Sequence, residues 1–128
     1  MITDPLFDVA GKVALVTGAS SGLGESFSRC LAARGAVVVA AARRVDRLQA
    51  LVREGGATHA VALDVTDPAS VDAAMRRVEE LAGPIDILVN NAGIADTKAS
   101  LEVSESDWRR VLDTNLDGAW RMAQAAAK

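Results

Sequence analysis

Residues 12–24 read Lys-Val-Ala-Leu-Val-Thr-Gly-Ala-Ser-Ser-Gly-Leu-Gly. Lys12 to Thr17 is an apolar, β-branched run of strand length that stops at Gly18. Gly18, Gly22 and Gly24 let the backbone turn tightly and approach a ligand closely. Helical periodicity then starts at once. Gly22 to Arg34 is predicted as a helix, with Leu23, Phe27, Cys30 and Leu31 on one face and Gly35 as its stop. A helix that begins on such a loop points its unpaired N–H groups and its positive dipole end back at it. That makes an anion site suited to a pyrophosphate. No Lys-Ser or Lys-Thr follows the glycines, which argues against a P-loop nucleotidase.

Outward from this stretch, strand and helix patterns alternate. Ala36 to Ala41 reads as a second buried strand, and Val45, Leu48 and Val52 mark a second helix closed by Gly55-Gly56. His59 to Leu63 is a third strand. Asp67 can cap the next helix with Pro68 at its first position; Val71, Met75, Val78 and Ala82 form its stripe, and Gly83-Pro84 ends it. Ile85 to Val89 is a fourth strand, followed by the longest loop, Ile94 to Val103. Ser104 and Asp107 have the spacing of a capping box at the start of a last helix, with Val103 and Trp108 placed as a hydrophobic staple. Continuous apolar strands between helices predict an α/β fold whose parallel sheet is covered on both faces. Residues 1–128 show no composition break and are expected to form one domain.

The 128 residues are half apolar and 24% charged, with a net charge of −3 and no basic run, which disfavours nucleic acid as a partner. The longest apolar run, Ala36 to Ala42, is far below the roughly 20 residues that span a bilayer. The N-terminus lacks a basic region followed by an apolar stretch, so no secretory signal is read. The single cysteine, Cys30, suits a reducing, cytoplasmic setting and is expected to be a small core residue. No His/Cys cluster has metal-ligand spacing, and His59 has no partner that would make a catalytic triad. Trp108 and Trp120 are expected in a core or an interface.

The glycine spacing is Gly-x-x-x-Gly-x-Gly, not the general Gly-x-Gly-x-x-Gly. With Thr17 it resembles the Thr-Gly-x-x-x-Gly-x-Gly motif of the short-chain dehydrogenases/reductases. Asp64 after strand three, Asn90-Asn91-Ala92-Gly93 after strand four, and Asn115 in Thr114-Asn115-Leu116-Asp117-Gly118 follow in that family's order and spacing. The resemblance implies a Rossmann-type, doubly wound sheet of order 3-2-1-4, with the cofactor at the switch between strands 1 and 4. It implies that Thr17, Gly18, Ser20, Ser21, Gly22, Leu23 and Gly24 form the phosphate loop. Asp64, with Val65 beside it, would accept from the adenine amino group. Asn91, Ala92 and Gly93 would pass under the adenosine ribose, while Asn90 braces the strand end.

An NAD site of this type carries an acid near the end of strand two. Here the stretch is Ala40-Ala41-Ala42-Arg43-Arg44 and holds no carboxylate. A guanidinium fork matches a phosphate, so Arg43, with Arg44 and Ser20 near it, points to the 2′-phosphate of NADP before NAD. Alternatively, the two arginines merely solvate the start of the second helix, although cations there oppose its dipole.

The last residue implied by the resemblance is catalytic. Asn115 falls on the helical stripe of Trp108, Leu112, Ala119 and Met122, where a buried amide needs partners. Gly118, costly inside a helix, suggests a distortion or a close contact. In the family this Asn joins a Ser and a Tyr-x-x-x-Lys in a tetrad that moves a hydride between NADP(H) and an alcohol/carbonyl pair. The chain has no tyrosine. Gln124 to Lys128 carries no helix-ending Gly or Pro, so the sequence reads as the cofactor-binding part of a truncated chain, inactive alone. A non-catalytic dinucleotide-binding or interaction module is the alternative. In the family the helix that matches this chain's last one commonly packs on a partner subunit, which implies a homo-oligomer, dimer or tetramer. A bare fourth strand would also invite association.

Overall fold

Every residue of the first strand, β1 (Val13–Thr17), is buried, as a strand covered on both faces must be. The structure is a computed structural model and describes residues 4–128. After β1 come α1 (Gly22–Ala33), β2 (Val37–Ala42), α2 (Val45–Arg53), β3 (His59–Ala62), α3 (Pro68–Ala82) and β4 (Ile87–Val89). A loop with one 3₁₀ turn at Ser100–Glu102 leads to α4 (Glu105–Leu112). A single π-helical turn, Asp113–Asp117, then joins α4 to α5 (Gly118–Ala126). All pairings are parallel and the order is β3-β2-β1-β4, the order implied by the family resemblance.

Alternation along β1 divides the core. Ala14 and Val16 face α1 and α2, with Val38, Ala40, Leu48 and Leu51. Leu15 faces α3 and α5, with Val39, Val61, Val71, Val78 and Met122. Local chemistry sets the ends. Asp67 accepts from the Ala69 N–H ahead of Pro68, and Ser104 and Asp107 form the complete capping box. Strand β4 begins later than the apolar run suggested. Asp86 already accepts the Val13 N–H through its carboxylate at 2.8 Å and donates its own N–H to the Val13 carbonyl at 2.9 Å.

Three expectations fail. The inner face of α1 is not Leu23, Phe27 and Cys30: Gly24 and Ser28 are its buried residues, Leu31 is half-buried, and Cys30 is exposed rather than a core residue. Small side chains let this helix lie close to β1, and the large ones are left outside. The last helix is not continuous. Its π turn inserts one extra residue, which shifts the phase of everything after it by about 100°. Asn115 is therefore exposed and not on a buried stripe, while Met122 is fully buried. Trp108 and Trp120, 58% and 62% exposed, are not core residues, which leaves the interface half of that expectation standing. No helix among the described residues is long and apolar enough to cross a membrane.

Candidate cofactor site

The carboxyl ends of β1 and β4 are tied together by one buried side chain. Thr17 Oγ1 accepts the backbone N–H of Asn91 at 3.0 Å and of Ala92 at 2.9 Å, and donates to the Val89 carbonyl at 3.4 Å. Asn91 answers: its Nδ2 donates to the carbonyls of Thr17 at 3.1 Å and Gly18 at 3.3 Å. Gly18 is left-handed (φ +65°), and a Cβ there would lie 2.9 Å from the Ala92 Cα. A Cβ on Gly24 would lie 2.3 Å from the Gly18 carbonyl oxygen. Two glycines thus bring loop, helix and β4 into contact. Thr17, Gly24 and Asn91 stand behind the site as its frame.

In front of that frame is a cleft of about 330 Å³. Gly18, Ser20, Ser21, Arg43, Arg44, Asp64, Val65, Ala92 and Gly93 line it, together with Ile94 and Thr114. Gly22 and Leu23 do not line it; Leu23 is 68% exposed in the first turn of α1. Ser21 makes no side-chain cap on α1, which leaves the first-turn N–H groups for an anion. Asp64 Oδ1 accepts the Thr66 hydroxyl at 2.7 Å and the Thr66 N–H at 3.0 Å. Those two bonds, then the nearby Arg43, hold the Asp64 carboxyl below its usual range, so it is a charged acceptor. A larger hollow of about 590 Å³ lies between α3 and the end of α5. It is lined by Met75, Val78, Ile85 and Ala125 among others and lies away from the glycine loop, so size does not pick the site.

Asn115 does not line the cleft but is bonded to Ile94, which does. Its Oδ1 accepts the Ile94 N–H and its Nδ2 donates to the Ile94 carbonyl, both at 2.8 Å. The amide is thus spent on the loop after β4, and Asn90 adds a bond from Nδ2 to the Ala119 carbonyl. In the π turn the Gly118 N–H donates to the Asp113 carbonyl, and the Thr114 hydroxyl takes up the Arg110 carbonyl at 3.2 Å. A Cβ on Gly118 would come 2.6 Å from Val65 Cγ2, which explains the glycine: the helix presses on the cleft wall. Sequence reasoning missed Thr114 and Ile94 as lining residues. Their only signal was adjacency to Asn115 and to Gly93.

The donor set fits a dinucleotide. An uncapped helix start offers N–H donors, Asp64 offers a charged acceptor, and Arg43 and Arg44 add two cations to the same cleft. Among the described residues no group of three His, Cys, Asp or Glu could hold a metal. The profile of the short chain dehydrogenase family matches residues 12–128. The 3-oxoacyl-(acyl-carrier-protein) reductase of Escherichia coli is 39% identical over 119 residues, which cover 92% of this chain and 49% of that protein. Two solved structures superpose closely. Actinorhodin polyketide ketoreductase with NADPH has a TM-score of 0.86 at 36% identity, over 92% of this chain and 47% of its own. The 3-ketoacyl-(acyl-carrier-protein) reductase of Brucella melitensis, complexed with NADH, has a TM-score of 0.86 at 37% identity, over 91% and 49%. The chain spans about half the length of these relatives.

Proposed function

The chain belongs to the short-chain dehydrogenase/reductase family, and from that membership we propose that it is the NADP(H)-binding half of an oxidoreductase acting on an alcohol/carbonyl pair. The observation that carries the cofactor choice is the cleft corner at the end of β2. Arg43 and Arg44 line it with Ser20, and no carboxylate follows β2 until Asp46. A ribose 2′-phosphate would meet guanidinium groups there, and a free 2′-hydroxyl would meet no carboxylate. The first turn of α1 would hold the pyrophosphate, and Asp64 would accept from the adenine amino group. The nicotinamide supplies the hydride. Asn115 would contribute by fixing the Ile94 backbone beside the reacting end.

Relatives named as 3-oxoacyl and polyketide ketoreductases favour a carbonyl as the substrate group. The proton that a reduced carbonyl needs comes from a tyrosine in this family, and these 128 residues include none. By this reading the chain binds cofactor but does not turn over alone. A cytoplasmic setting is part of the proposal, supported by the exposed thiol of Cys30. So is a homo-oligomer, dimer or tetramer, through the helical segment after residue 104, where Trp108, Leu116 and Trp120 are each exposed.

Fluorescence titration with NADPH and NADH tests the core of it. NADPH should bind at least tenfold tighter, and Arg43→Ala should erase most of that margin, a loss of roughly ten- to hundredfold for one charged hydrogen-bond partner. Equal affinity for both nucleotides, or binding of neither, would overturn the NADP assignment.

A further inference from the structure

Arg121 lies on α5, outside the cleft. Its guanidinium nevertheless holds three groups. Nη1 donates to the Val65 carbonyl at 3.1 Å and reaches the Asp113 carbonyl at 3.5 Å. Nη2 pairs with Asp113 Oδ1 at 2.9 Å. The side chain is largely covered, with 22% of its surface exposed. Val65 and Asp113 belong to different parts of the site. Val65 follows Asp64 at the end of β3 and lines the cleft. Asp113 opens the π turn, and its neighbour Thr114 lines the same cleft from the other side.

We propose that Arg121 is a positioning residue of the cofactor site, fixing the distance between the loop that receives the adenine and the helical turn that carries Thr114 and Asn115. This rests on the reading of the cleft as a dinucleotide site. Among the described residues, the contact it secures has no other polar fastening. Across it, Gly118 meets Val65 through side-chain contact alone. A π turn frees carbonyls and is a weak point of a helix, and Arg121 bonds the residue at its start. The bidentate fork suits the task because one planar group can serve a carbonyl on one element and a carboxylate on another. Release of Arg121 leaves Val65 and Thr114 free to separate, which widens the slot for the adenine. It also frees the turn that aims Asn115 at Ile94. The adenine end and the Asn115 end are then no longer mechanically joined.

The test uses the 128-residue chain and 2′,5′-ADP, a probe that reaches only the adenine end. Calorimetry reads affinity. The side-chain amide signal of Asn115, identified by its loss in Asn115→Ala, reads the coupling. In the wild type 2′,5′-ADP should bind and shift that signal, although it stops short of Asn115. Arg121→Met should lose affinity roughly tenfold, the equivalent of one hydrogen bond to a charged group, and its Asn115 signal should no longer respond. Arg121→Lys should recover part of both. Unchanged affinity and an unchanged Asn115 response in a folded Arg121→Met would overturn the inference. So would Met and Lys variants impaired alike, since packing alone would then explain the loss. Should Arg121→Met fail to fold, Asp113→Asn decides: it keeps the Val65 bond, so a partial loss of affinity supports the clamp and no loss refutes it. A wild type that does not bind 2′,5′-ADP overturns the dinucleotide reading itself, and the inference falls with it.

Discussion

Replacing Gly24 with alanine should damage both stability and cofactor binding, against the usual preference of helices. In an exposed helix the change would stabilise by about 1 kcal/mol. At this position the added Cβ would lie 2.3 Å from the Gly18 carbonyl oxygen and 2.5 Å from Asn91 Nδ2. Neither neighbour is a free side-chain tip. One is backbone of the phosphate loop, and the other is held by the carbonyls of Thr17 and Gly18. Comfortable contact needs about 3.5 Å, so helix and loop must separate by roughly 1 Å. Overpacking of that kind costs about 1–3 kcal/mol, which leaves a net loss of up to about 2 kcal/mol after the helix gain. Under the proposed reading the first turn of α1 holds the pyrophosphate against this loop, so NADPH affinity should fall at least tenfold, since a misplacement of about 1 Å is costly in a preorganised site. Chemical denaturation and a fluorescence titration measure the two effects. Gly22→Ala is the control: its Cβ would meet nothing within 4 Å, so only its left-handed backbone (φ +58°) resists the change. A Gly24→Ala protein as stable as the wild type, with unchanged NADPH affinity, would refute the close-approach argument.

Thr17→Val should destabilise by about 2 kcal/mol in urea denaturation, because it leaves the Asn91 and Ala92 N–H groups without their acceptor, whereas Thr17→Ser should stay near wild type. Asn115→Asp should be worse than Asn115→Ala: it keeps the bond from the Ile94 N–H but sets a carboxylate oxygen against the Ile94 carbonyl, and amide exchange at Ile94 will show which variant loosens the loop more. Asp107 is held well below its ordinary value of 3.8 by Lys98 and then by the Ser104 hydroxyl and N–H. A depressed carboxyl stabilises the fold above its unfolded value and loses that contribution as pH falls below it, so the wild type should lose stability between pH 4 and lower values more steeply than Asp107→Asn in acid denaturation.

What the sequence revealed and what it hid follow from the range of the interactions. Asp67 with Pro68, and Ser104 with Asp107, are helix starts written within four residues, and both formed as read. The glycine loop was legible for the same reason: a strand, three glycines and a helix are consecutive in the chain. The inner face of α1 was not. Periodicity ranks residues by hydrophobicity, so Leu23, Phe27 and Cys30 drew attention, yet close approach to β1 selects for small size, and Gly24 and Ser28 went inside. Asn115 was misplaced because counting by 3.6 residues assumes an unbroken helix. Gly118 hinted at the break, but the π turn depends on Val65, more than 50 residues earlier, and no local pattern encodes that contact.

The same distinction explains how the site is assembled. Phosphate loop, adenine corner and Asn115 each lie on a different segment, and none is preorganised by its own sequence. Their relative positions come from a few side chains that reach across: Thr17 and Asn91 join β1 to β4, Asn115 joins the π turn to the loop after β4, and Arg121 joins that turn to the loop after β3. Each fastens backbone groups at the carboxyl ends of the parallel strands, where β1 has neighbours on both sides and the helices diverge to leave a crevice. Hydrophobic burial in the two core layers holds the sheet together but is indifferent to shifts of an ångström at its rim. The polar cross-ties supply that precision, and the residues that make them are therefore as necessary to the cleft as those that line it.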